Sequence, residues 1–195
     1  AFADELQTFT IVASAPGETD PPTGAGNGQY DWAVPDAMGT NLKVRVTNLA
    51  DTSVLDVSDS AFTIKGSVTL TSPNGTEVWI VNESRNLVWA MTGSIANMKL
   101  EYSKNGFSDE AQTFTIIAST AAETDPPTGT GSGQYAWTVA DAIGTALKVR
   151  VSNVGDSTVN DKSDVNFTIK GKLVLNVPNG AEAWPVLVSQ NVTWT

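Results

Sequence analysis

The segment QTFTI at residues 7–11 returns at 112–116, TDPPTG at 19–24 returns at 124–129, and FTIKG at 62–66 returns at 167–171, each time 105 positions later. Laying residues 1–90 over 106–195 gives 53 identities, dense in patterned segments and sparse in loops. A period this long exceeds one turn of a solenoid and gives each unit enough residues for its own core, so the repeat is a duplicated domain. Two full periods would need 210 residues and the chain has 195; the stretch without a second counterpart is 91–105. The expected organisation is therefore a partial unit at 1–66 carrying the fourth to seventh strands, a complete unit at 67–171, and a partial unit at 172–195 carrying the first two.

Within the middle unit, short alternating segments recur with turn signals between them, and none sustains a helical period. SVTLTS (67–72) alternates Val68 and Leu70 with polar residues and stops at Pro73-Asn74-Gly75. NLVWAM (86–91) and MKLEYS (98–103) follow, then QTFTIIAS (112–119), QYAWTVA (134–140), LKVRVSN (147–153) and NFTIKG (166–171), which makes seven strands. Phe114 shares a face with Ile116, Tyr135 with Trp137 and Val139, Leu147 with Val149 and Val151, and Phe167 with Ile169. One buried and one wet face per strand predicts an antiparallel sandwich. Only Lys65-Gly66 or Lys170-Gly171 separates the last strand of one unit from the first of the next, too short for a flexible linker and suited to a semi-rigid rod.

Composition narrows the chemistry. With no cysteine and no histidine there is no thiol nucleophile, no imidazole base, no Ser-His-Asp triad and no ordinary zinc site. A net charge of −10 opposes nucleic-acid binding, which relies on Lys and Arg against phosphates. No apolar run reaches the ~20 residues of a membrane helix. Richness in Thr, Ser, Asn and Gly suits an exported protein, so the expected location is extracellular or at the cell surface.

SPNGTEVW, the strand-borne LVW, LEYS, QYAWTVAD, LKVRVSN and the closing SDxxFTIKG together resemble tandem bacterial and archaeal surface repeats of immunoglobulin or fibronectin type III kind. The pattern is also similar to a domain of fungal cell-wall assembly proteins. The resemblance implies an all-β fold, tandem seven-stranded antiparallel immunoglobulin-like sandwiches in a linear array. Its residues are core and turn positions, which specify fold better than activity. The expected role is non-enzymatic: a structural repeat of an extracellular filament, stalk or adhesin shaft. Its partners would be copies of itself head-to-tail, or adjacent repeats of a longer chain. Strand complementation would use Phe9 and Ile11 on one side and Leu173, Leu175, Trp184, Val192 and Trp194 on the other. The alternative readings are a carbohydrate- or calcium-binding module of a secreted multidomain protein and an accessory domain of a secreted hydrolase.

Each remaining motif has a functional and a plain reading. Asp51, Asp56 and Asp59, matched by Asp156, Asp161 and Asp164, offer oxygens that calcium could use, but Asp is a common turn former and strand-end cap, which is the favoured reading, and no cofactor is expected. Trp32, Trp89, Trp137 and Trp194 fall in phase with core positions; Trp79 and Trp184, just after a turn, are the pair that could stack on a cell-surface glycan. Asn74, Asn82, Asn166 and Asn191 open N-x-Ser/Thr sequons. Lys65 and Lys170 lie at the joints, where an isopeptide bond is conceivable and solvation is ordinary. Glu18, Asp20, Glu123 and Asp125 flank the Pro-Pro turn, but a polar loop offers neither the cleft nor the buried acid that glycoside hydrolysis requires.

Overall fold

The computed structural model describes residues 8–17, 27–124 and 131–195, and the chain divides into two units, Ala1–Gly66 and Ser67–Thr195. Among its described residues the first unit holds four short strands, β1 (Gly39–Leu42), β2 (Arg45–Thr47), β3 (Leu55–Val57) and β4 (Phe62–Ile64). They form two antiparallel pairs, β1 with β4 and β2 with β3.

The second unit contains a full sandwich. Its strands are β5 (Ser67–Ser72), β6 (Val78–Ile80), β7 (Ser84–Thr92), β8 (Asn97–Ser103), β9 (Thr113–Ala121), β10 (Ser132–Thr138), β11 (Gly144–Asn153), β12 (Asn160–Lys162) and β13 (Phe167–Lys170). One sheet has the order β10-β7-β5; the other runs β6-β13-β11-β8-β9, with β12 pairing β11. The alternating residues of both sheets meet in one core, in which Leu70, Leu87, Trp89, Leu100, Val149 and Phe167 are essentially inaccessible. The chain is all-β, and this two-sheet order is immunoglobulin-like: the opening strand splits, β5 joining one sheet and β6 the other.

Among the described residues the sandwich at 67–171 has nine strands where the pattern predicts seven. The two additions, β6 and β12, have three residues each, too few to show a period. Their pairing is set by tertiary contacts: β6 lies parallel to β13, Trp79 opposite Ile169, and β12 places Asp161 opposite Val151. β9 departs from simple alternation. Leu100 pairs with Ile117 and Glu101 with Thr115, so an extra residue bulges there. Ile116 and Ile117 are both half-buried as a result, while Phe114 stays 37% exposed and stacks on Tyr102. One 3-10 turn, Glu110–Gln112, capped by Asp109, precedes β9.

After Lys170 the second unit continues into β14 (Leu175–Val177) and β15 (Thr193–Trp194), an antiparallel pair.

Candidate assembly interface

In the complete sandwich a polar clasp ties the opening strands to the closing ones. Leu70 N–H of β5 donates to Asp161 Oδ2 at 2.8 Å. Ser163 is fully buried; its hydroxyl donates to the Pro73 carbonyl at 2.7 Å and accepts from Val149 N–H at 3.0 Å. Asn74 and Asp164 exchange two bonds: Asn74 Nδ2 donates to Asp164 Oδ2 at 2.9 Å, and Asp164 N–H donates to Asn74 Oδ1 at 2.7 Å. Glu77 holds the turn itself, its carboxylate accepting the N–H groups of Asn74 and Gly75, both at 2.8 Å. Apolar contacts accompany the clasp. Trp79 of β6 lies 6.0 Å from Trp137 and 5.2 Å from Phe167, ring centre to ring centre.

The flanking segments carry the two halves of this contact separately. Call residues 1–66 the head and 172–195 the tail. In the tail, Leu175 pairs with Trp194 and Val177 with Thr193, the register of Leu70 with Trp89 and Ser72 with Val88 one period earlier. Its turn is built in the same way, Glu182 accepting from Asn179 N–H at 3.0 Å and Gly180 N–H at 2.8 Å. These backbone donors, Asn179 first, hold the Glu182 carboxyl below its ordinary value. In the head, Gly39 pairs with Ile64, Leu42 with Phe62 and Val46 with Asp56, reproducing Gly144 with Ile169, Leu147 with Phe167 and Val151 with Asp161. Ser58 Oγ accepts from Val44 N–H at 3.2 Å, as Ser163 does from Val149.

What differs is coverage. Every residue expected to serve assembly is exposed: Phe9 and Leu173 by 81% and 82%, and Ile11, Leu175, Trp184, Val192 and Trp194 by 39–64%. In the head, Trp32 and Phe62 meet edge to face at 6.2 Å; they are the counterparts of Trp137 and Phe167, the two rings that Trp79 touches in the sandwich. Trp184 is the tail's counterpart of Trp79.

The other candidates resolve individually. Trp79 is 5% exposed and wedged between two aromatic rings, so it presents no face to a sugar; that expectation is corrected. Packing under the opening strand outcompetes exposure because a buried indole removes a large apolar area from water. Trp89 and Trp137 are buried as the pattern predicts. Asp51 and Asp156 each close a local turn, accepting from the N–H and hydroxyl of Ser53 and Thr158 respectively. The Ser53 hydroxyl and N–H bonds hold the Asp51 carboxyl below its usual range. Asp161 and Asp164 serve the clasp, and Asp56 and Asp59 stand at the corresponding head positions. Among the described residues no group of three or more acidic side chains converges on a metal-sized site. Asn74, one of the sequon asparagines, spends its side chain on Asp164. Glu18, Asp20 and Asp125 lie outside the described residues.

Sequence reasoning missed one feature, an acidic group on the outer face of β8. Glu101 is 5% exposed and bridges to Lys99 and to Arg150, whose guanidinium donates at 2.8 and 3.0 Å and stacks over Phe107. Burial pushes its carboxyl up, but the Lys99 and Arg150 hydrogen bonds and charges outweigh that, and the net shift is downward. It borders a shallow cleft of about 330 Å³ between β8, β9 and β11. A carboxylate locked ionised by two cations cannot donate a proton as a general acid.

No protein-family model and no curated protein sequence matches this chain. Among solved structures, it is similar to the crystal structure of the RIG-5 IG1 homodimer at 8% identity and a TM-score of 0.31, over 53% of this chain and 98% of that one. Among the described residues no helix is long and apolar enough to cross a membrane.

Proposed function

We propose that this chain is a non-enzymatic structural module that joins to others head-to-tail by strand complementation, as part of an extracellular filament, stalk or adhesin shaft. The observation that carries the reading is the pairing of equivalent residues. Positions buried in the middle sandwich are exposed in head and tail, although both flanks already hold the sandwich's registers. Two surfaces that are complementary inside one molecule remain complementary between molecules.

A tail brought to a head supplies the β5, β6 and β7 positions. Leu175 N–H then faces Asp56, Asn179 faces Asp59, and Trp184 faces Trp32 and Phe62. Head and tail are different surfaces, so the contact is heterologous and propagates into a fibre unless the rotation closes a ring. A second copy and a neighbouring repeat of one polypeptide would use the same surface. The extracellular setting rests on the richness of the chain in Thr, Ser, Asn and Gly.

The test is mass against assembly. The purified chain has a denatured mass of 20.5 kDa; light scattering and electron microscopy of the native material should show linear oligomers that lengthen with concentration. A strictly monomeric species at millimolar concentration overturns the proposal.

A further inference from the structure

The complete sandwich buries one indole in an unusual backbone socket. Trp89 has no exposed surface, and its Nε1–H donates to the Ala122 carbonyl at 2.7 Å. Across the sheet its register partner is Gly133. A Cβ added at Gly133 would lie 2.4 Å from the Trp89 ring and 2.1 Å from the Ala122 oxygen, so only glycine admits the indole.

One period away, all three parts recur in two different segments. Trp194 of the tail is the counterpart of Trp89 and is 64% exposed, while its strand partner Leu175 already holds the register of Leu70. Gly17 and Gly28 of the head correspond to Ala122 and Gly133. The change from alanine to glycine at the first position is neutral, because that residue contributes its carbonyl. The head also keeps the close approach of these two backbone positions: a Cβ at Gly28 would lie 2.7 Å from the Gly17 oxygen. The carbonyl acceptor and the glycine floor are thus adjacent there, and the atoms nearest to a Cβ at Gly28 are backbone atoms of Pro16 and Gly17, not an indole.

We propose that Trp194 is the anchor of head-to-tail assembly, its indole entering a socket on a second copy where the Gly17 carbonyl accepts the Nε1–H and Gly28 forms the floor. The inference rests on the head-to-tail reading above and names its decisive residue. A tryptophan with a single hydrogen-bond partner in a fully desolvated pocket is the type of side chain on which protein contacts concentrate their energy. It also sets the register: Trp194 opposite Gly28 places Val192 opposite Tyr30, as Leu87 lies opposite Tyr135.

The experiment uses the full chain. Light scattering measures the midpoint concentration of assembly, and the pair Tyr30→Cys with Val192→Cys reports the contact through disulfide formation, the chain having no cysteine of its own. Trp194→Ala should raise the midpoint by roughly 30-fold or more. Trp194→Phe, which keeps a ring and loses the donor, should raise it by about fivefold. Trp194 is exposed within the chain, so unfolding of the isolated molecule should not move. Gly28→Val should match Trp194→Ala, and a mixture of the two variants should stop at a heterodimer, since it retains one intact tail and one intact head. If the cysteine pair links copies but Trp194→Ala assembles like the parent chain, the anchor is wrong and the head-to-tail reading stands. If the parent does not assemble and the cysteine pair does not link, or links only within one chain, the head-to-tail reading falls and takes the anchor with it.

Discussion

Val151 and Val46 occupy the same place in the repeat, yet the first is fully buried and the second is 72% exposed. Leu70 against Leu175 gives 1% and 47%, and Trp89 against Trp194 gives 0% and 64%. Near-identical local sequence therefore does not decide burial; the presence of the remaining strands does. Backbone conformation follows the same rule. Thr113–Ala121 is a nine-residue strand, whereas the same TFTI letters at 8–11 form no strand. In the sandwich β9 is hydrogen-bonded only to β8, and the head contains no counterpart of residues 91–105. β-propensity sets what a segment will accept, and a partner sets what it becomes.

The sharpest way to break this comparison is a matched pair of truncations. Leu70→Ala should cost about 2–5 kcal/mol in denaturant unfolding of the sandwich, because it opens a cavity in a packed core. Leu175→Ala, the same change one period later, should stay within about 0.5 kcal/mol for the isolated chain. Equal losses at the two sites would show that the tail is already packed, and the comparison would fail.

Polar contacts should repeat the contrast at smaller scale. Asp161→Ala leaves Leu70 N–H without its acceptor and should destabilise the sandwich by about 1–3 kcal/mol. Asp56→Ala should leave unfolding unchanged and weaken assembly, since its counterpart to Leu70 is Leu175 on the tail. A thermal shift for Asp56→Ala as large as for Asp161→Ala would contradict that division of roles.

A tail docked as proposed would still lack β8, the strand that lies between β11 and β9. Met98 and Leu100 are fully buried there, so a unit completed in that way would carry an unfilled slot. Appending a second copy of the 91–105 sequence after Thr195 should fill it and lower the assembly midpoint by at least roughly tenfold, about 1.4 kcal/mol. The same extension with Leu100 and Met98 equivalents changed to Ser should give no gain. If both extensions act alike, length and not the apolar pattern is responsible.

Much of this fold was legible because the physics is local. Alternation located seven of the nine strands of the sandwich. β6 and β12 were hidden because three residues show no period; β6 pairs with β13 far along the chain, and β12 pairs with the preceding strand, β11. The exposure of Phe9, Ile11, Leu173, Leu175, Trp184, Val192 and Trp194 was legible from the period alone, since a duplicated core position without its neighbours must be exposed. The indole socket was not: it requires knowing that Gly133 faces Trp89, a register that neither segment encodes alone. The aspartates were visible as positions, but only the cross-strand bond to Leu70 separates Asp161 from the turn former Asp156. Glu101 was invisible because an alternating strand predicts a wet outer face, and Lys99, Arg150 and Phe107 cover it.

That covered carboxylate provides the smallest and most local test, because it rests on β8 and has no counterpart in the head. Its pKa in the folded chain lies below the ordinary value, burial being outweighed by Lys99 and Arg150. A depressed folded value means that the unfolded chain takes up the proton first as pH falls. The contribution is therefore complete above the unfolded carboxylate range near ~4.3 and is lost as pH drops through the folded value. Thermal melts from pH 7 to 3 should show Tm falling over that window, and Glu101→Gln should flatten the fall while lowering Tm at pH 7. If Glu101→Gln leaves the fall unchanged, the acid sensitivity is a property of overall charge, and the carboxylate on β8 does not set it.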